Sequence, residues 1–374
     1  MLTWVFISGL IVIIAGLMAG LVMLWKIPYV TRKQTQEISD IMISIIIPAR
    51  NEEERIKPLL ESIALQQYSR YELIVVDDDS ADQTAHIARQ YHASVRSNNT
   101  LQDGWIGKSS ACWTGANHAQ GDYLLFLDAD TRFTDEESLG NLVSCYQEKG
   151  SSGILSLQPY HTIERFYENL SAVFNIIVMA GMNVFTPFRE KLEVAGSFGP
   201  CILCAKEDYF RTGGHEKIRE AVMDDLALGS LFKEKGMPVR CYSGRGVINF
   251  QMYPDGIRPL VEGWSKSFAT ASQSTHPLVM GAIISWISGG FISFPFLVTA
   301  LFTESLNWII CGLIVYFLYM LQLYYSANRT GSFHFVSFLF FPCLFLFFSV
   351  IFGNSLYLTY IRHTVNWRGR KIKV

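Results

Sequence analysis

The chain has 374 residues, of which 50% are hydrophobic and only 17% charged, with 31 Lys and Arg against 33 Asp and Glu. This composition excludes a low-hydrophobicity disordered chain and a disulfide scaffold. A net charge of −2 gives no electrostatic reason to expect a nucleic-acid partner.

Residues 2–25 carry no charge. At about 1.5 Å per residue, such a run crosses a hydrocarbon core of about 30 Å. It has no basic leader and is longer than the apolar region of a secretory signal, so it reads as a retained anchor over 1–26. Lys26, Arg32 and Lys33 follow it and place the next residues on the cytoplasmic side. The block 27–276 holds most of the charge and suffices for one soluble domain. Within 277–361 lie three apolar stretches, 278–303, 306–327 and 333–361, each long enough to cross. The basic tail 362–374 (Arg362, Arg368, Arg370, Lys371, Lys373) also belongs in the cytoplasm, and three full crossings do not allow that. One stretch is therefore expected to be re-entrant or interfacial, or to be two short segments. Gly289, Gly290 and Pro295 point to the first stretch. The seven scattered cysteines, Cys201 and Cys204 among them, read as free thiols of a reducing compartment.

Inside the block, Ile43–Ile47 reads as a buried strand, followed by Pro48, Arg50, Asn51, Glu52 and a helix to about Gln66. Glu72–Val76 is a second strand ending in Asp77-Asp78-Asp79-Ser80, with a helix from Ala81 to about Tyr91. A helix over Ser109–His118 and a strand over Tyr123–Leu127, ending in Asp128-Ala129-Asp130, come next. Near-continuous apolar strands alternating with helices predict an α/β fold with a mostly parallel, Rossmann-like sheet. Ligands of such sheets bind at the carboxyl ends of the strands, where all three polar clusters fall.

Asp128 and Asp130, two residues apart on extended chain, offer hard oxygens to Mg2+ or Mn2+, which can hold a diphosphate; alone, the same triplet makes a solvated turn. Asp78 can accept the N3–H of a uracil while Ser80 caps the following helix. Pro48, Arg50 and Glu52 suit either a ribose site or an acid-rich helix start. Gly104–Ser109 brings a cation, Lys108, on a loop suited to a phosphate or sugar, without P-loop spacing. Asp224 and Asp225 head an apolar helix, as a capping pair or as a general base aimed at an acceptor. Gly213-Gly214-His215 adds a close-approach loop and a titratable ring. Ala172–Phe185 is a buried or an interfacial helix. Trp264 and Lys266 suit an interfacial anchor, or for Trp264 the border of an acceptor site.

These residues resemble the family 2 glycosyltransferases of the GT-A (nucleotide-diphospho-sugar transferase) fold. Pro48–Glu52 corresponds to the family's PxxNE, and Val75–Thr84 to VDDGSxDxT with Asp79 where Gly is usual. Asp128–Asp130 corresponds to DxD, and Asp224-Asp225 to a Glu-Asp pair. The resemblance implies inverting transfer from a UDP-sugar. Asp78 would read uracil beside Pro48, Arg50 and Glu52. Asp128 and Asp130 would hold ribose, metal and diphosphate. Lys108 would help with phosphate or sugar, and Asp225 would be the base beside Asp224. Ser156–His161, Arg165–Glu168, Gly181–Phe185 and Glu262–Lys266 resemble the branch that glucosylates apocarotenoid carboxyl groups in bacterial C30 carotenoid pathways. That branch implies UDP-glucose, a lipidic acceptor and a plasma-membrane enzyme with a cytoplasmic catalytic domain. Transferases making other glycolipids or polyprenyl-phosphate sugars share the motifs, and so would a degenerate sugar-binding scaffold. A processive polysaccharide synthase is disfavoured, because no Gln-x-x-Arg-Trp motif follows the acid pair.

Overall fold

The computed structural model describes residues 2–31, 40–98, 105, 108–362, 364–367 and 370–373. Arg32, Lys33, Gly104 and Arg368 lie outside the described residues. Two compact units interleave along the chain: residues 1–27, 162–193 and 253–374 form one, and residues 28–161 and 194–252 the other. Segments 162–193 and 253–276, which the sequence assigns to the soluble block, thus fold with the terminal helices.

After α1 (Leu2–Met23), the second unit begins with β1 (Ile43–Ala49), α2 (Glu53–Ala64), β2 (Tyr71–Asp77), α3 (Thr84–Gln90) and β3 (Ser94–Ser97). It continues with α4 (Ser109–His118), β4 (Tyr123–Leu127), β5 (Thr131–Phe133), α5 (Ser138–Glu148), β6 (Ile154–Gln158) and β7 (Tyr160–His161). The chain then leaves to form α6 (Ala172–Gly181). It returns as β8 (Cys201–Ala205), α7 (Lys206–Thr212), α8 (Gly214–Lys217), α9 (Asp224–Glu234), β9 (Val239–Ser243) and β10 (Ile248–Phe250).

The main sheet has the order β3-β2-β1-β4-β8-β6-β9, with β8 antiparallel to both neighbours. Alternation explains why its strands read as unbroken apolar runs. Ile43, Ile45, Ile47, Leu73, Val75, Leu125 and Leu203 face one core, while Ile46, Ile74, Val76, Leu124, Phe126 and Ile202 face the other. Both faces are covered, so both parities must be apolar. Cys201 and Cys204 are free thiols that sit in opposite cores.

Helix α3 begins at Thr84, three residues later than expected, because Asp82 turns back on the chain. Its Oδ1 accepts the Thr84 N–H at 3.0 Å and the Thr84 hydroxyl at 2.5 Å. Ser80 does not cap the helix; its hydroxyl accepts the Asn51 N–H at 3.0 Å.

The other unit adds α10 (Ile257–Ser272), α11 (Pro277–Leu301), α12 (Leu306–Asn328) and α13 (Phe341–Tyr357) to α1 and α6. Among the described residues, four segments are long and apolar enough to cross a membrane: Thr3–Met23, Pro277–Leu301, Leu306–Asn328 and Phe335–Arg362. Helix α11 is continuous through Gly289 and Pro295, so the suspected break is absent. Its glycines serve close packing instead. A Cβ on Gly289 would lie 2.5 Å from the Tyr319 hydroxyl and 2.9 Å from the Val12 carbonyl, and one on Gly290 would enter the Phe345 ring. Small residues at such crossings let helix backbones approach. Polar clamps reinforce the bundle. The Tyr319 hydroxyl donates to Trp286 O (2.8 Å), Gln322 to Leu17 O (2.6 Å) and Arg329 to Leu24 O (2.7 Å).

It is Phe335–Arg362 that turns back. Its chain enters beside the C-terminal end of α12, where Asn169 accepts the His334 N–H at 2.8 Å. It descends along α12 until the Tyr316 hydroxyl donates to Leu339 O (2.8 Å) and Phe345 meets Phe291 (ring centroids 5.9 Å). Tyr316 is about 18 Å from the end of α12 at 1.5 Å per residue. Then α13 returns along α10. Phe348 packs on Phe268 (5.6 Å), Ser355 Oγ accepts the Ala269 N–H (3.0 Å), and the Tyr360 hydroxyl accepts from Gln273 (2.7 Å). Gln273 lies just before the start of α11. A short connection joins the other ends of the antiparallel pair α11 and α12, so the segment starts and finishes at one end of the bundle.

Filling the glycine contact tests this packing. Gly289→Leu should lower stability by about 1–3 kcal/mol through overpacking. Thermal unfolding of detergent-purified protein measures it, with Gly281→Leu, at an open position, as the unaffected control.

Candidate active site

The polar residues at the carboxyl ends of β1, β2 and β4 fall into two neighbouring groups. In the first, Asp78 is 5% exposed and its Oδ1 accepts from Asn98 Nδ2 at 2.9 Å. Arg50 Nη1 donates to the Asp78 carbonyl at 2.5 Å and lies 3.7 Å from the Asp78 carboxylate and 3.8 Å from that of Asp79. Asp79 has φ +60°, the left-handed region. This explains why Gly is usual there and why Asp, one of the few residues that tolerate it, can replace Gly. Glu52 is buried, and its N–H donates to the Thr84 hydroxyl at 2.8 Å. The turn of β1 is thereby stitched to that of β2.

The second group lines a small cavity of about 10 Å³ bounded by Pro48, Lys108, Cys112, Phe126, Asp128, Gly199, His215, Asp224 and Asp225, with Leu127 and Ile202. Lys108, just ahead of α4, reaches Asp128 Oδ1 at 2.6 Å and Gly199 O at 3.4 Å. Burial works against its ammonium, but Asp128 and Asp224 outweigh it and hold the amine protonated well above its ordinary range. Asp225 is pushed up to about 6 by burial and by Asp224 beside it, against the pull of Lys108 and the Leu226 N–H. Asp224 Oδ2 is buried with no hydrogen-bond partner. The first turn of α9 is pressed against the chain before β8. The Ser197 hydroxyl donates to Asp225 O (2.7 Å), and a Cβ on Gly199 would come within 3.0 Å of Asp225 Oδ2. A side chain at this position would crowd the carboxylate.

Asp128 and Asp130 flank the end of β4, both partly exposed. Among the described residues no three His, Cys, Asp or Glu side chains converge as metal ligands. A divalent cation of nucleotide-phosphate enzymes does not need such a cage. Mg2+ takes one or two carboxylates and completes its shell with phosphate and water. The donor set fits that pattern, with Lys108 already neutralising one Asp128 oxygen. Trp264 belongs to the helical unit, where it is 7% exposed, stacks on Phe174 (4.7 Å, 19°) and donates to Ser171 Oγ at 3.0 Å. Cys112, Gly199 and Tyr209 were not singled out from the sequence. Nothing local marks them: Gly199 meets Asp225 from before β8, Cys112 shares the cavity with Asp224 of α9, and Tyr209 acts through His215.

The raised Asp225 carries a stability cost. Below the ordinary carboxylate range it is neutral in both folded and unfolded chains and costs nothing. Between about pH 4 and 6 the unfolded chain ionises while the folded one stays neutral, so the cost builds over that range and is complete above about 6. Asp225→Asn should therefore stabilise the ligand-free protein by about 1–2 kcal/mol at pH 8 and leave it nearly unchanged at about pH 3. Thermal unfolding at the two pH values measures the difference.

Comparison with known proteins agrees with this geometry. The profile of glycosyl transferase family 2 matches residues 44–209. A 4,4'-diaponeurosporenoate glycosyltransferase of Staphylococcus aureus (strain bovine RF122 / ET3-1) is 38% identical over 366 residues, 98% of this chain and 97% of the relative. The enzyme of the same description from strain MRSA252 is 38% identical over 92% of this chain and 91% of its own. Among solved structures, the mannosyltransferase PcManGT of Pyrobaculum calidifontis, crystallised with GDP-Man and Mn2+, superposes with a TM-score of 0.52. Its 16% identity, over 93% of this chain and 98% of that one, speaks to the GT-A fold. With whole-length relatives at this identity and the family motifs standing together at the strand ends, the chain belongs to glycosyl transferase family 2.

Proposed function

We propose that this glycosyltransferase moves glucose from UDP-glucose to the carboxyl group of an apocarotenoid of the 4,4'-diaponeurosporenoate type, giving a glucosyl ester with inversion. The observation that carries the reaction class is the gathering of Lys108, Asp128, Asp224 and Asp225 around one cavity. The acceptor rests on relatives named for it that match almost the whole chain.

In this reading Asp78 accepts from the uracil N3–H, and Pro48, Arg50 and Glu52 border the ribose. Asp128 and Asp130 hold Mg2+ or Mn2+. When bound, that cation neutralises the charge that develops on the departing diphosphate. Lys108 does the same from the protein side with a permanent positive charge. The acceptor oxygen forms the new bond to the sugar's anomeric carbon as the bond to the diphosphate oxygen breaks. Asp225, ionised above about pH 6, takes a proton from an acceptor that still has one. A carboxylic acid with a pKa of roughly 4–5 is already ionised at neutral pH, so the base contributes little.

Orientation belongs to the same proposal. Lys26 and Arg329 lie at the end of the bundle to which the last segment returns. By the positive-inside rule that end is cytoplasmic. The sheet unit, which follows Ile27 directly, starts on the same side. Three helices cross, and Phe335–Arg362 dips in and comes back.

Two measurements test this. Asp130→Ala should cut transfer at least about 100-fold, while Asp225→Asn should lose less than about threefold with a carboxylate acceptor and about 100-fold or more with an alcohol. Rates with purified protein, UDP-glucose and each acceptor class decide it; robust transfer by Asp130→Ala would sink the metal assignment. For orientation, a fluorescent protein fused after Val374 should glow in bacterial cells and a phosphatase fused there should stay silent. An active phosphatase would require a full fourth crossing.

A further inference from the structure

His215 is 2% exposed and lies in the wall of the cavity that holds the acids. The Tyr209 hydroxyl holds one edge of its ring. The Tyr209 hydroxyl oxygen accepts the His215 backbone N–H at 3.1 Å and lies 2.8 Å from Nδ1. Having accepted that N–H, the hydroxyl keeps its own proton to give, and Nδ1 is the ring atom within its reach. Burial, with Lys108 nearby, lowers the ring's pKa to about 3, so the imidazole is neutral. A neutral ring whose Nδ1 accepts carries its only proton on Nε2. His215 lines the cavity and Tyr209 does not, and Nε2 is the ring nitrogen on the edge away from Tyr209. Gly214, at φ +50°, makes the arrangement possible, because a Cβ there would strike the Tyr209 ring.

Besides the Lys108 ammonium, engaged by Asp128 and Gly199, the cavity wall then offers a second donor, His215 Nε2–H, and one buried acceptor without a partner, Asp224 Oδ2. Its volume of about 10 Å³ suits one water-sized group. Phosphate and ionised carboxylate only accept and leave Asp224 unsatisfied. A hydroxyl both accepts and donates. We propose that His215, locked by Tyr209 as the Nε2–H tautomer, reads one hydroxyl of the transferred hexose together with Asp224, and so sets which sugar is moved. This rests on the nucleotide-sugar reading above and deepens it.

The experiment titrates UDP and UDP-glucose by calorimetry into wild type, His215→Ala and Tyr209→Phe, and repeats transfer assays with singly deoxygenated UDP-glucose analogues. Wild type should bind UDP-glucose tighter than UDP and reject one deoxy analogue. His215→Ala should bind UDP unchanged, lose about 10–100-fold in affinity and in kcat/KM for UDP-glucose, and accept that deoxy analogue as well as glucose. Tyr209→Phe keeps the ring but frees the tautomer. It should lose about 3–10-fold of the same discrimination, and it keeps the test open if the alanine variant does not fold. Discrimination retained in both variants, with UDP binding intact, would overturn the inference alone. Absence of UDP binding in wild type would overturn the nucleotide reading and this inference with it.

Discussion

The site depends on one ammonium held among carboxylates. Lys108 sits against Asp128 and within the field of Asp224. Without it, these two acids and Asp225 would lie in one partly buried wall with nothing to offset their mutual repulsion. The fold supplies this by geometry: β1, β2 and β4 run parallel and end together, and α4 begins where β4 ends. The acids come from one strand end and from the first turn of α9, so the cation bridges segments nearly 100 residues apart. The same environment that keeps Lys108 charged pushes Asp225 up into the range of a usable base.

In the helical unit a different constraint governs. Apolar helices gain little from burying apolar surface against one another in lipid, so close packing and interhelical hydrogen bonds must specify their arrangement. Gly16 and Gly289 bring α1 and α11 into backbone contact, and the Tyr319 hydroxyl fills the notch they leave. Gln322 and Arg329 then bind carbonyls near the end of α1. Ser171 gives the indole of Trp264 a partner inside an aromatic cluster.

Much of this was legible in the sequence. β4 and α4 fall where their patterns place them, because five unbroken apolar residues between polar clusters admit little else. The Asp79 departure was visible, but its meaning required the backbone angle. Gly289 and Gly290 read as a break, since composition does not distinguish a flexible glycine from one pressed against a neighbour. Sequence alone places the start of α3 at Ala81, three residues ahead of Thr84, because it does not show that Asp82, rather than Ser80, makes the local turn. His215 stood out as a titratable ring, yet its value lies in Tyr209, six residues away across a left-handed pair of glycines. Long-range meetings such as Gly199 with Asp225 leave no local periodicity to read.

The returning course of Phe335–Arg362 bears on the order in which the protein is made. Ser355 and Asn354 dock onto Ala269 and Ser265, and Phe348 onto Phe268 and Phe174, all synthesised earlier. Until the ribosome has delivered the last forty or so residues, those aromatic faces wait without their cover. A message cut short near its end therefore yields a chain with its sheet complete and its bundle unsealed, a natural substrate for membrane quality control.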